Sequence, residues 1–142
     1  MKHKVTLTIA SLLSILLFLF HLTDDIIHGT EPGGLSNLVG GVLILVVWLY
    51  GTLVFAERRS GYVIMLLGGL FAAAIPVLHM RGAGVGGEFA NSSGAFFFVW
   101  TLLALGVTGT FSVILSARGL WRLQWGQSRH SNHVNMERPT PA

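Results

Sequence analysis

Four long apolar stretches separated by short polar ones run along this chain, and the pattern predicts four helices. They cover residues 5–28, 35–55, 62–80 and 95–117, each close to the roughly 20 residues that cross the hydrocarbon core of a bilayer. Period-two alternation, the mark of a barrel strand, is absent, and every run is too long for such a strand. A backbone in lipid must satisfy its own hydrogen bonds, so runs of this length form helices. The expected fold class is all-α: an integral membrane four-helix antiparallel bundle occupying residues 1–125.

The fourth span leaves through Arg118, Trp121, Arg122 and Trp125, spaced i, i+3, i+4, i+7. Indole rings favour the headgroup region and arginines there meet anionic lipid, so 118–125 is expected to be an interfacial helix. Residues 126–142 are polar, contain Pro139 and Pro141, and are expected to form a disordered cytoplasmic tail. His130 and His133 fall in it, where metal binding would be incidental.

Composition supports lipid as the main solvent. The chain has 142 residues, 52% hydrophobic and 11% charged, against about 25% charged in soluble domains. Four spans leave no room for a separate soluble domain. The absence of cysteine excludes disulfides, thiolate metal sites and iron–sulfur clusters.

The charge distribution sets an orientation. Lys2, Lys4, Arg58, Arg59, Arg118, Arg122, Arg129 and Arg138 fall on one side of the four-span pattern, and Arg81 alone on the other. The net charge of +3 would suit nucleic acid, but basic residues in short flanks of apolar runs fix topology instead. No nucleic-acid partner is expected. The positive-inside rule places both termini in the cytoplasm of a multi-pass protein, in a plasma membrane or bacterial inner membrane. Lys2 and Lys4 before an apolar run also resemble a secretory leader, but no small-x-small cleavage site precedes Thr23.

Association between helices in lipid relies on small residues. Gly40, Gly41 and Gly51 lie in the second span, and Gly68 with Ala72, Gly69 with Ala73, and Gly106 with Thr110 form small-xxx-small pairs. Phe96, Phe97, Phe98 and Trp100 read as an aromatic belt, or as a lid over a bound group. Asn91-Ser92-Ser93 is formally a glycosylation sequon. Ser36 and Asn37 read as capping residues of the second helix.

One polar cluster stands out. His21, Asp24, Asp25 and His28 are spaced i, i+3, i+4, i+7, within roughly a 100° arc of the first helix. Gly29 suits the cap of that helix, so Asp24 and Asp25 sit where the macrodipole is already negative and a cation is needed. Pro76, His79 and Arg81 at the end of the third helix supply the facing groups. Asp24 or Asp25 paired with Arg81 would make a latch between helices. Two imidazoles with carboxylates would instead suit copper, zinc or iron, with His21, Asp24, Asp25, His28 and His79 as candidate ligands. A b-type haem held by His21 or His28 together with His79 is a third reading.

No nucleophile–base pair, phosphate loop or dinucleotide fingerprint is present. The glycines Gly82, Gly84, Gly86 and Gly87 lack the Lys and Ser/Thr of a phosphate-binding loop. Mid-span polarity is limited to hydroxyls such as Thr52, Thr101, Thr108, Thr110 and Ser112, which argues against an ion path through a single chain. The sequence thus reads as a structural or accessory membrane subunit, embedded in lipid and assembling with copies of itself or other membrane subunits. The alternatives are a transition-metal-binding protein or oxidase-type enzyme, and then a haem protein.

Overall fold

A computed structural model describes residues 2–28, 34–80 and 95–136, with side chains over 3–27, 34–80 and 95–124. It consists of α1 (Lys2–His28), α2 (Gly34–Leu53), α3 (Arg59–Leu78) and α4 (Ala95–Met136), with no strand among the described residues. All four helices are long and apolar enough to cross a membrane. The ion-pair candidate Arg81, the acids Glu31 and Glu88, the glycines of 82–87 and the Asn91 sequon lie outside the described residues. So do the side chains of His28, His130 and His133.

Six helix ends differ from the sequence reading, three of them by a single turn or less at the start of α1, the start of α2 and the end of α3. α2 stops at Leu53 and α3 starts at Arg59, because the chain turns over Val54–Arg58. There Arg58 N–H donates to the Phe55 carbonyl at 2.8 Å. Arg58 then leads into α3 in an extended conformation. α4 continues as one helix of 42 residues through Met136, past Trp125 and into the stretch expected to form the tail. At the start of α2, Gly34 has φ 62°, a left-handed backbone open to glycine without steric penalty.

Contacts link α1 to α2, α2 to α3, α3 to α4 and α4 to α1, and α1 also touches α3 across the middle. Tyr62 meets Gly119, Gly69 meets Gly109 and Pro76 meets Gly106, so positions step in opposite senses along α3 and α4. This seam depends on close backbone approach. A Cβ at Gly109 would fall 2.7 Å from the Ala72 Cβ and 2.8 Å from the Gly69 carbonyl oxygen. Gly68, by contrast, makes room for the Trp48 indole of α2.

Packing is built in two apolar layers. One holds Ile15, Phe18, Trp48, Ile75, Phe98 and Leu102, and the other Leu7, Tyr62, Met65 and Leu115. Between them a closed hydrogen-bond circuit ties α1 to α2. Thr52 Oγ1 donates to the Trp48 carbonyl at 2.8 Å, which uses its only hydrogen. Ser11 Oγ must therefore donate to Thr52 Oγ1 across 2.8 Å, while it accepts the Trp48 indole N–H at 2.9 Å.

Ser11→Ala would strand that indole N–H in an apolar interior. The expected loss is about 0.6–2 kcal/mol of stability, the range of interhelical hydrogen bonds in membranes. Ser14→Ala is the control, because Ser14 Oγ donates only to Ala10 O of its own helix. Equal unfolding free energies for the two variants in mixed micelles would refute the circuit's role.

Three threonine hydroxyls of α4 turn back on their own helix, whereas the Ser112 and Ser116 hydroxyls are buried with no partner among the described residues. Thr101 donates to Phe98 O, Thr108 to Ala104 O and Thr110 to Gly106 O.

Candidate metal centre

The site forms where the C-terminal part of α1 meets the end of α3. His21 and Asp25 are four residues apart on α1, hence on one face, and both are buried. Their Nε2 and Oδ2 atoms are 3.4 Å apart. His79 arrives from α3, three residues beyond the buried Pro76. Contact between α1 and α3 brings its ring against His21, edge to face, with centroids 4.8 Å apart.

The His79 ring is fixed by its own helix. Nδ1 lies 2.9 Å from the Ile75 carbonyl oxygen. A carbonyl only accepts, so Nδ1 carries the hydrogen and Nε2 presents its lone pair. This is the support given to metal-ligating histidines, whose other ring nitrogen donates to a carbonyl or carboxylate.

One donor atom from each of His21, Asp25 and His79 lies within 4.8 Å of the others. An ion bonded to all three at about 2.0–2.2 Å would draw them to roughly 3–3.5 Å of one another. The His21–Asp25 spacing of 3.4 Å already matches that separation, so the adjustment falls on His79. His21 Nδ1, meanwhile, is buried with no hydrogen-bond partner among the described residues, a state that costs about 1–3 kcal/mol unless a ligand answers it.

Of the sequence candidates, then, the structure gathers His21, Asp25 and His79. Asp24 is half-buried beside them but is not one of the three clustered residues. The proposed latch depends on Arg81, and the remaining candidate ligand is the His28 side chain; both lie outside the described residues. A haem held by His21 and His79 requires a macrocycle and two iron–nitrogen bonds between the rings. Imidazoles touching edge to face leave no such gap.

Two parts of the site were not read as such from sequence. Phe98 is buried and packs on both imidazoles, with centroids 5.3 Å from His21 and 5.7 Å from His79. Phe96, Phe97 and Trp100 point outward, so the aromatic run divides between one wall residue and an exposed belt. Asn37 and Gly40 of α2, read as cap and packing residues, line a cavity of about 340 Å³ that also reaches His21, Asp25 and His79. A Cβ at Gly40 would meet nothing within 4 Å. That glycine leaves open space rather than permitting a helix contact.

The arrangement can therefore hold a cation between two imidazoles and a carboxylate, beside a cavity large enough for a small molecule. No family model, curated protein or solved structure matches this chain.

Proposed function

We propose that this is a multi-pass membrane protein that binds a divalent transition metal through His21, Asp25 and His79 on the outer side of the membrane. The single observation that carries this reading is the convergence of three donor atoms within 4.8 Å, two of them from α1 and one from α3. Two nitrogens and one oxygen suit zinc, copper(II) or iron(II), and three protein ligands leave coordination positions open, as in catalytic rather than structural sites. Asp25 and the adjacent Asp24 offset the charge of a divalent ion where an isolated charge is costly.

The four helices form an antiparallel bundle with both termini in the cytoplasm. Lys4 pairs with Glu57 at 3.0 Å, which puts the N-terminus and the α2–α3 turn at one end, opposite His21. Both side chains are half or more exposed, so the pair marks that end more than it stabilises it. Arg58, Arg59, Arg118 and Arg122 belong to the same end, and cations favour the cytoplasmic side. At 1.5 Å per residue α4 is roughly 60 Å long, about twice the hydrocarbon thickness, so its C-terminal part extends into the cytoplasm.

Elemental analysis of protein purified without chelator tests the function. About one equivalent of zinc, copper or iron per chain is expected, one ion per three-ligand set. A chain with none, which also takes up none when each metal is supplied at micromolar concentration, contradicts the reading.

A further inference from the structure

We infer that a crevice between α2 and α3 binds an uncharged, single-chain amphiphile of the isoprenoid-quinone class, its ring beside His21, Asp25 and Asn37 and its chain along Trp48 and Leu67. The inference shares residues with the metal cluster but does not require the ion.

The crevice consists of two adjoining cavities. The cavity at the metal cluster, about 340 Å³, and a second one of about 400 Å³ share Ile44 and Phe71 in their walls. The second limb has no titratable side chain in its lining and runs past Leu43, Val47, Trp48 and Leu67. Leu43, Val47 and Leu67 are 59%, 57% and 60% exposed, so this limb opens on the surface that faces lipid. A hydrocarbon chain can enter it sideways from the bilayer without crossing a polar region.

The other end selects the head. His21 is 3% exposed, and its Nδ1 has no hydrogen-bond partner among the described residues although the residue lines the cavity. A carbonyl or hydroxyl oxygen entering there would supply one. Asp25 lines the same space; alone it repels an anion, and with an ion bound Asp24 and Asp25 already balance the ion's charge, so in either state a phosphate or carboxylate head meets no spare cation in a medium of low dielectric. The head must therefore be neutral. Phe18 and Phe71 meet edge to face at 5.1 Å and both line the head cavity. Aromatic walls favour a flat ring, which packs against them in offset or edge-on geometry.

Trp48 is a natural reporter of the chain limb. With Trp100→Phe, Trp121→Phe and Trp125→Phe combined, it is the sole indole. Trp100 and Trp121 are 60% and 63% exposed, and their replacement leaves the core unchanged. Decylubiquinone is titrated into this protein in lipid nanodiscs, metal-loaded and chelator-treated in parallel. Saturable quenching of Trp48 is expected in both, weakened about tenfold by Gly40→Leu, whose Cβ enters open space and whose longer side chain occupies the head cavity. An unchanged Trp48 emission maximum in that variant verifies its fold.

Quenching that rises linearly with quinone and is the same in Gly40→Leu overturns the proposal. Saturable quenching relieved equally well by oleate or a single-chain anionic phospholipid overturns the neutral-head assignment. The readout is independent of metal, so a saturable response in protein that binds no metal would remove only the metal reading. The reverse result would remove only this inference.

Discussion

His79→Ala is expected to abolish stoichiometric metal binding, weakening affinity by more than roughly 100-fold. Residues that only orient a ligand already contribute about 10–100-fold, and His79 is the one donor that comes from α3. Without it, His21 and Asp25 form a two-atom site on one helix turn. The ring is half-buried at the end of its helix, and the fold should survive its loss. Asp24→Asn is the companion variant, because Asp24 lies beside the cluster and not in it; its affinity should fall far less. Competition with a chromophoric chelator measures both. Free imidazole should restore part of the binding in His79→Ala by entering the space the ring leaves. Affinity within about threefold of the parent, a difference under 1 kcal/mol, would remove His79 from the site.

The largest effect on stability is expected at the α3–α4 seam. Gly109→Val should cost about 1–3 kcal/mol or more, the range for forcing extra atoms into a packed interior. Its first added carbon falls 2.8 Å from Ala73 N and the Gly69 carbonyl oxygen. Those are backbone atoms of α3, which cannot rotate aside as a flexible side chain would, so the helices must part. Gly40→Ala is the matched control, because its Cβ enters open space. The fraction eluting as a folded, monodisperse species from detergent, with the thermal midpoint, reports both. Indistinguishable behaviour would mean that the seam tolerates separation.

The helices were legible because bilayer thickness imposes a length that hydropathy alone reveals. Their ends were less so. Arg59 was read as part of a connection, yet a charged side chain does not stop a helix; the turn at Phe55–Arg58 sets the boundary. Likewise, polar composition past Trp125 gives no stop signal before Met136, so α4 runs on. His21 and Asp25 were visible as a pair from their i, i+4 spacing. That spacing could not say that Asp24, one position and about 100° away, would fall outside the cluster.

The role of His79 required knowing that α1 and α3 meet across the middle, a fact of packing rather than of pattern. Phe98 was hidden in a run of aromatics, since its direction depends on how α4 is rotated against α1. The glycines posed the same problem. Gly40, Gly68 and Gly69 look alike in sequence, but one lines a cavity, one admits an indole and one allows two backbones to touch.

The central claim is that two imidazoles from different helices and one carboxylate share an ion. X-ray absorption fine structure at the edge of the bound metal tests it most directly. The account predicts first-shell nitrogen and oxygen with the multiple-scattering pattern of two imidazoles, reduced to one in His79→Ala. A parent spectrum without imidazole scattering, or one that His79→Ala leaves unchanged, would contradict it.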